Sequence, residues 1–185
     1  MHPFEKEGAI IGRLLAGYTT LELGLMNCVQ VVRKDFDSVL KAMFRVRGET
    51  NRILIGDALA RHYYHDHGLG TEFEMAMGAI RHCLKIRNQY AHFEWWNDNS
   101  GRLALADLVD IANQNAFIKD LASLPTFYVD VALLNDQEQY FVYTDKTLAW
   151  VNYERRYRAG DIKTNSVPKP TQLLQPALHL PGPLN

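Results

Sequence analysis

The chain is poor in cysteine, in charge of one sign and in uninterrupted apolar sequence, and each shortage removes a class of protein. Only Cys28 and Cys83 are present, each alone in an apolar helical context, and nothing in their spacing argues for a bridge. They are expected to be buried free thiols. No glycine-rich phosphate loop, Gly-x-Ser-x-Gly elbow or paired-cysteine motif occurs, so the common signatures of nucleotide hydrolysis, serine hydrolysis and thiol redox chemistry are missing. Twenty Lys and Arg against 21 Asp and Glu leave a formal net charge of −1. No overall positive field draws in nucleic acid from a distance, and contact with it needs a local basic patch or a small, transient footprint. The most apolar stretch, Ala9 to Val32, is broken by Arg13, Glu22 and Asn27. It therefore suits a protein core better than a bilayer of about 30 Å. The start, Met1 to Glu7, mixes acid and base without the positive-then-apolar order of a secretory signal. These shortages together predict a cytoplasmic protein with no membrane association.

What remains is ordinary globular material: 47% hydrophobic and 22% charged residues over 185 positions, enough for one cored domain. Ile10, Ile11, Leu14, Tyr18, Leu21, Leu25, Val29 and Val32, at steps of mostly three and four, predict a first helix over 8–33. Asp37 or Ser38 is expected to cap a short second helix over 39–46, stopped near Gly48. A third follows over 49–65, with Ile53, Ile55, Ala58, Leu59 and Tyr63 apolar. After a turn at 67–70, Thr71 is expected to cap a fourth helix reaching about Phe93. Its predicted stripe is Phe73, Ala76, Met77, Ile80, Cys83, Leu84 and Ala91. Leu103 and Leu105, alternating with alanines, predict a short strand, and Thr126 to Val131 a second; the two would pair as a ribbon. The stretch from Ile111 to Leu121 between them reads as helical or irregular. Asn135 or Asp136 opens a last long helix to about Arg158. Beyond Asp161, Pro168, Pro170, Pro176, Pro181 and Pro183 work against any long helix. The predicted organisation is a mainly α domain over 1–160 with a two-stranded ribbon. A proline-rich tail over 161–185 follows, extended, and either loose or laid over the domain or a partner.

Arg87 breaks the pattern of the fourth helix. At about 100° per residue it falls inside the apolar stripe, seven residues after Ile80 and four before Ala91. Burying an unpaired charge is costly, so this guanidinium must meet a carboxylate, an anion, or solvent in a cleft or between subunits. A salt bridge to Glu22, at the edge of the first stripe, is the structural alternative. Asn88 and His92 flank the same stripe, and His92 lies in the last turn, where the negative helix end favours a protonated imidazole.

Arg87-Asn88-Gln89-Tyr90-Ala91-His92 resembles the Arg-x4–6-His motif of HEPN domains, all-helical bundles found in many prokaryotic toxins and defence proteins. The resemblance implies a HEPN-like up-and-down helical bundle and a homodimer that brings two motifs together. It also implies a metal-independent endoribonuclease without cofactors, acting on RNA, with Arg87 and His92 catalytic, and in the toxin families an antitoxin protein as partner. Where some of those families carry a tyrosine two residues after the histidine, this chain has Glu94.

Cleaving RNA without a metal requires a 2′-hydroxyl to lose a proton, the phosphorane charge to be stabilised and the leaving 5′-oxygen to be protonated. An imidazole titrating near neutrality serves as base or acid. A guanidinium offers planar, bidentate bonds to phosphate oxygens that lysine cannot copy. Side chains five residues apart on one helix diverge by about 140°, so two helices about a twofold axis are better placed than one to surround a phosphate. Asn88 could hold the histidine tautomer or contact phosphate, and Glu22 could orient Arg87. Arg81 and Lys85, in a basic run on the same helix, are candidate RNA contacts. Trp95 could stack on a base or serve packing. His62, His65 and His67 have no second cluster to complete a zinc set, and no metal site is expected. Two other readings stay open. One is a catalytically silent helical dimer acting as a binding or regulatory module. The other is a regulator resembling the mannitol repressor group, disfavoured by the near-zero charge and lack of a recognition-helix pattern.

Overall fold

A computed structural model describes residues 4–114 and 117–180. Met1 to Pro3, Pro181 and Pro183 lie outside the described residues, as does the pair 115–116 within the segment predicted to be helical or irregular. Helix α1, Glu5–Arg33, buries all eight residues of its predicted stripe, carries Glu5 and Glu7 at its positive end, and stops at Lys34, whose φ is 55°. By length and composition alone α1 could cross a bilayer; here its apolar face packs against α3, α4 and α6.

Helix α2, Phe36–Phe44, begins earlier than predicted. Its cap is Asp35, which accepts from the Ser38 amide at 3.1 Å, so Ser38 is a donor in the first turn and neither it nor Asp37 is the cap. Helix α3, Glu49–His65, has the predicted bounds and starts from Gly48, whose φ of 85° suits glycine. At Gly56 a Cβ would lie 3.0 Å from Leu25 and 3.3 Å from Met43, so the absent side chain sets how closely α1, α2 and α3 approach. Helix α4, Gly70–His92, is entered through buried Leu69 and has no side-chain cap; Thr71 lies inside it. The Leu69 amide donates to Tyr64 O at 2.8 Å, which ties the turn closed by backbone alone. Helix α6, Val131–Arg158, is capped by Asp130, accepting from the Leu133 amide at 2.8 Å. It starts ahead of the predicted Asn135 or Asp136 because Leu133 and Leu134 belong to the core.

Cross-helix contacts give the directions. Arg13 meets Glu138 and the Cys28 thiol donates to Leu148 O, so α1 and α6 run parallel. Glu22 pairs with Arg52 and Arg33 donates to the Tyr63 hydroxyl, so α1 and α3 are parallel too, with α2 leading the chain back between them. Helix α4 is antiparallel to α3, through Arg81 with Asp57 and Arg87 with Glu49, and to α6, through Cys83 with Thr144 and Tyr90 with Gln137. The result is a mainly helical, up-and-down bundle.

At the end of the bundle where α4 stops lies a sheet of three strands rather than the predicted two. Strands β1 (Glu94–Asn97), β2 (Leu103–Ala106) and β3 (Phe127–Val129) form an antiparallel sheet in that order. Trp95 faces Leu105 across one edge, and Leu105 faces Phe127 across the other. All four residues of β2 are buried, so both of its backbone edges must be satisfied by neighbours. That demand makes a strand of the residues just past the fourth helix. Between β2 and β3 come α5, Leu108–Asn113, and one 3-10 turn, Leu121–Ser123.

As far as Leu180, the tail is laid over the domain. Gln137 Nε2 donates to Ala177 O and Leu178 O at 2.8 and 2.9 Å, and Gln89 Nε2 donates to Leu178 O at 2.9 Å. Leu180 then pairs with Tyr128 of β3 through two backbone bonds of 2.7 and 3.2 Å.

Candidate active site

The last two turns of α4 present two unlike sides. Ile86, Gln89 and Tyr90 are buried, Arg87 and Asn88 are half-buried, and Ala91 and His92 are exposed. The predicted stripe therefore does not run through Arg87 to Ala91. It turns toward α6 and the tail, where Tyr90 donates to Gln137 Oε1 at 2.6 Å and Gln89 holds Leu178. Arg87 stands at the margin of the core, not in its middle.

Its partner is not Glu22. Arg87 Nη2 lies 3.3 Å from Glu49 Oε1, and Nη1 donates to Asn88 Oδ1 at 3.1 Å. Glu22 is buried and accepts from Arg52 Nη1 with both oxygens, at 3.2 and 3.0 Å. The reason is helical placement. Arg52 of α3 faces α1, whereas Glu49, one turn earlier at the start of α3, reaches α4. Beside these two ion pairs sits Tyr18, buried, with a hydroxyl that has no hydrogen-bond partner among the described residues. Burial raises its pKa well above the usual phenol value, with Glu22 and Glu49 acting in the same direction and Arg87 in the opposite one. Arg52, Glu49 and Tyr18 are the members that sequence reading missed. The only advance signal was that Glu49 and Arg52 share a face of α3.

Asn88 engages Arg87, so its amide oxygen is not holding the His92 tautomer. The His92 imidazole is exposed and makes no hydrogen bond among the described residues. Along α4 it stands about 7.5 Å from Arg87 and about 140° around the axis. The two do not converge within one chain, which leaves His92 facing outward and Arg87 pinned to α3.

The remaining candidates divide. Arg81 is committed to Asp57, a buried carboxylate 2.6 Å away that also binds Arg61 at 2.7 Å. It locks α3 to α4 and is a poor candidate for reaching RNA. Lys85 is exposed. Trp95 is exposed at 38% on β1, edge-on to Tyr90 with centroids 6.4 Å apart. Both cysteines are buried and unpaired, with thiols pushed up to about 12, first by burial, and so are unsuited to nucleophilic chemistry. His67 Nδ1 bonds Tyr63 O at 3.0 Å. Among the described residues no three His, Cys, Asp or Glu side chains gather as a group that could hold a metal ion.

Compared with protein-family models, with curated proteins and with solved structures, the chain finds no match in any of the three.

Proposed function

We propose that the protein is a metal-independent endoribonuclease of HEPN type, cytoplasmic and homodimeric, serving as a toxin or a stress or defence component. The observation that carries the reading is the arrangement at the end of α4. There a guanidinium is held at the core margin by Glu49 and Asn88, while five residues on an imidazole with no hydrogen-bond partner among the described residues stands exposed. Two such ends facing each other about a twofold axis supply two guanidinium groups for the phosphorane charge and two imidazoles for the proton transfers. Phosphate, as an anion, competes with Glu49 for Arg87. An antitoxin protein would then act by covering this end of the bundle.

A second reading is favoured by the same ion pair. With Arg87 already neutralised by Glu49, the end of α4 could serve as the interface of a catalytically silent dimer. Incubating the purified chain with labelled single-stranded RNA in EDTA separates the two. Cleavage is expected, and Arg87→Ala and His92→Ala should each abolish it while leaving the melting transition close to that of the parent. Full activity in either variant removes the enzymatic reading and leaves the dimeric module.

A further inference from the structure

The strand that follows the motif carries two adjacent tryptophans beside a cavity of about 450 Å³. Phe4, Gly8, Trp95, Trp96, Glu5 and Asn97 line it. It lies at the end of the bundle where His92 stands, since Trp95 is three residues past His92 and extended chain of that length spans at most about 10 Å. We propose that this cavity binds an unpaired guanine base of the RNA, next to the bond that is cut. The inference rests on the endoribonuclease reading for its biological meaning and on the cavity's own chemistry for its specificity.

Aromatic rings give a flat base a stacking platform, which every base can use. Selection must come from the polar groups, and these are asymmetric. Asn97 Oδ1 accepts from the Asn99 amide at 2.9 Å. An amide proton can be given only to the carboxamide oxygen, so the Asn97 NH2 group is left as a donor. Glu5 supplies an ionised carboxylate, two acceptor oxygens and no donor. The lining side chains thus offer donors at the Asn97 amide and the two indole N–H groups, and one pair of acceptors, the Glu5 carboxylate oxygens. The Watson–Crick edge of guanine offers the complement: the O6 acceptor beside the N1–H and N2–H donors. Guanine alone presents two adjacent donors to both oxygens of one carboxylate; adenine and cytosine bring a single donor beside a ring-nitrogen lone pair, and uracil a single donor between two acceptors, so each of these engages only one carboxylate oxygen. A phosphate would be repelled by Glu5, which keeps the backbone outside and admits the base.

The test titrates the full chain with guanosine and with adenosine, followed by tryptophan fluorescence and by calorimetry, and measures RNA cleavage separately. Guanosine is expected to bind at least tenfold more tightly than adenosine. Glu5→Gln and Trp95→Leu should each weaken it tenfold or more. So should Gly8→Phe, because a Cβ at Gly8 meets nothing within 4 Å and the ring is free to occupy the cavity. Glu5→Gln and Gly8→Phe lie on the surface of α1 and keep the test decisive if Trp95→Leu loosens β1. Equal affinity for the two nucleosides overturns the proposal, as does guanosine binding untouched by both α1 variants, or binding of choline in place of guanosine. The two readings fail separately. His92-dependent cleavage indifferent to guanine keeps the nuclease and sinks the base site, whereas selective guanosine binding without cleavage keeps the site and sinks the nuclease.

Discussion

At the scale of single residues, the decisive fact is which carboxylate meets Arg87. A guanidinium on an apolar stripe announces that it needs a counter-charge, but a helical wheel carries no information on which neighbouring helix provides it. Glu22 was the nearest acid by pattern; Glu49 is the partner in space, because α3 runs parallel to α1 and begins beside Arg87. The Arg87–Glu49 pair is about one-quarter exposed on each side. A pair of that kind contributes roughly 0–1 kcal/mol, so Glu49→Gln is expected to lower stability by no more than that in a denaturant melt. The same change frees the guanidinium for phosphate, and the KM for RNA should fall severalfold with little change in kcat. If Glu49→Gln instead eliminates turnover as Arg87→Ala does, Glu49 positions the guanidinium and does not compete with substrate.

At the scale of elements, the tail decides how rigidly the motif helix is held. Proline content predicts an extended segment and nothing about where it lies. Its seat is built from buried amides: Gln89, inside the motif, holds both Leu178 and His179, and Gln137 holds Ala177 and Leu178. Two imidazoles complete it. His179 stacks on Phe127 at 3.8 Å and donates from Nδ1 to Gln89 Oε1 at 3.0 Å, while His82 donates from Nε2 to Pro176 O at 2.9 Å. Burial lowers both pKa values, and Lys85 lowers that of His82 further. An imidazole whose folded pKa lies below its unfolded value takes up protons more readily when released. Its contribution is complete above the unfolded value of about 6.5 and is lost as pH falls through the folded one. Protection of the Leu180 amide, bonded to Tyr128 O, should therefore fall between pH 7 and pH 5 in hydrogen exchange. The double change His82→Gln, His179→Gln should flatten that dependence. Protection constant over this range in the parent chain would show that the imidazoles do not govern the seat.

At the scale of the whole molecule, the geometry of α4 bears on oligomeric state. Arg87 and His92 project from one helix in directions too far apart to grip one phosphate, so a chain of 21.2 kDa is expected to work as a pair. Light scattering should give twice that mass, and activity per chain should drop when the protein is diluted below its dimerisation constant. Mixing Arg87→Ala with His92→Ala should restore part of the cleavage that each has lost. A monomer that still cleaves at every concentration would sink the two-copy arrangement.

Sequence by itself determined what depends on local chemistry and periodicity. The α1 stripe, the bounds of α3, the end of the last helix at Arg158, the buried state of both thiols and the extended course from Asp161 to Leu180 were all legible, because each follows from side-chain spacing or from glycine and proline backbone limits. Helix starts were less legible, the last by four or five residues, since Leu69 and the pair Leu133 and Leu134 take their places by burial in the core. Tertiary structure alone decided the rest. It made a third strand of Glu94–Asn97 because buried β2 needs two neighbours, committed Arg81 to Asp57, and gave Arg87 to Glu49. These outcomes depend on which surfaces meet when helices pack, and a linear pattern records apolar periodicity but neither the partner nor always the face: in α3 the expected Ala58 is exposed while Ala60 and Tyr64 are buried, and in α4 Ala91 is exposed.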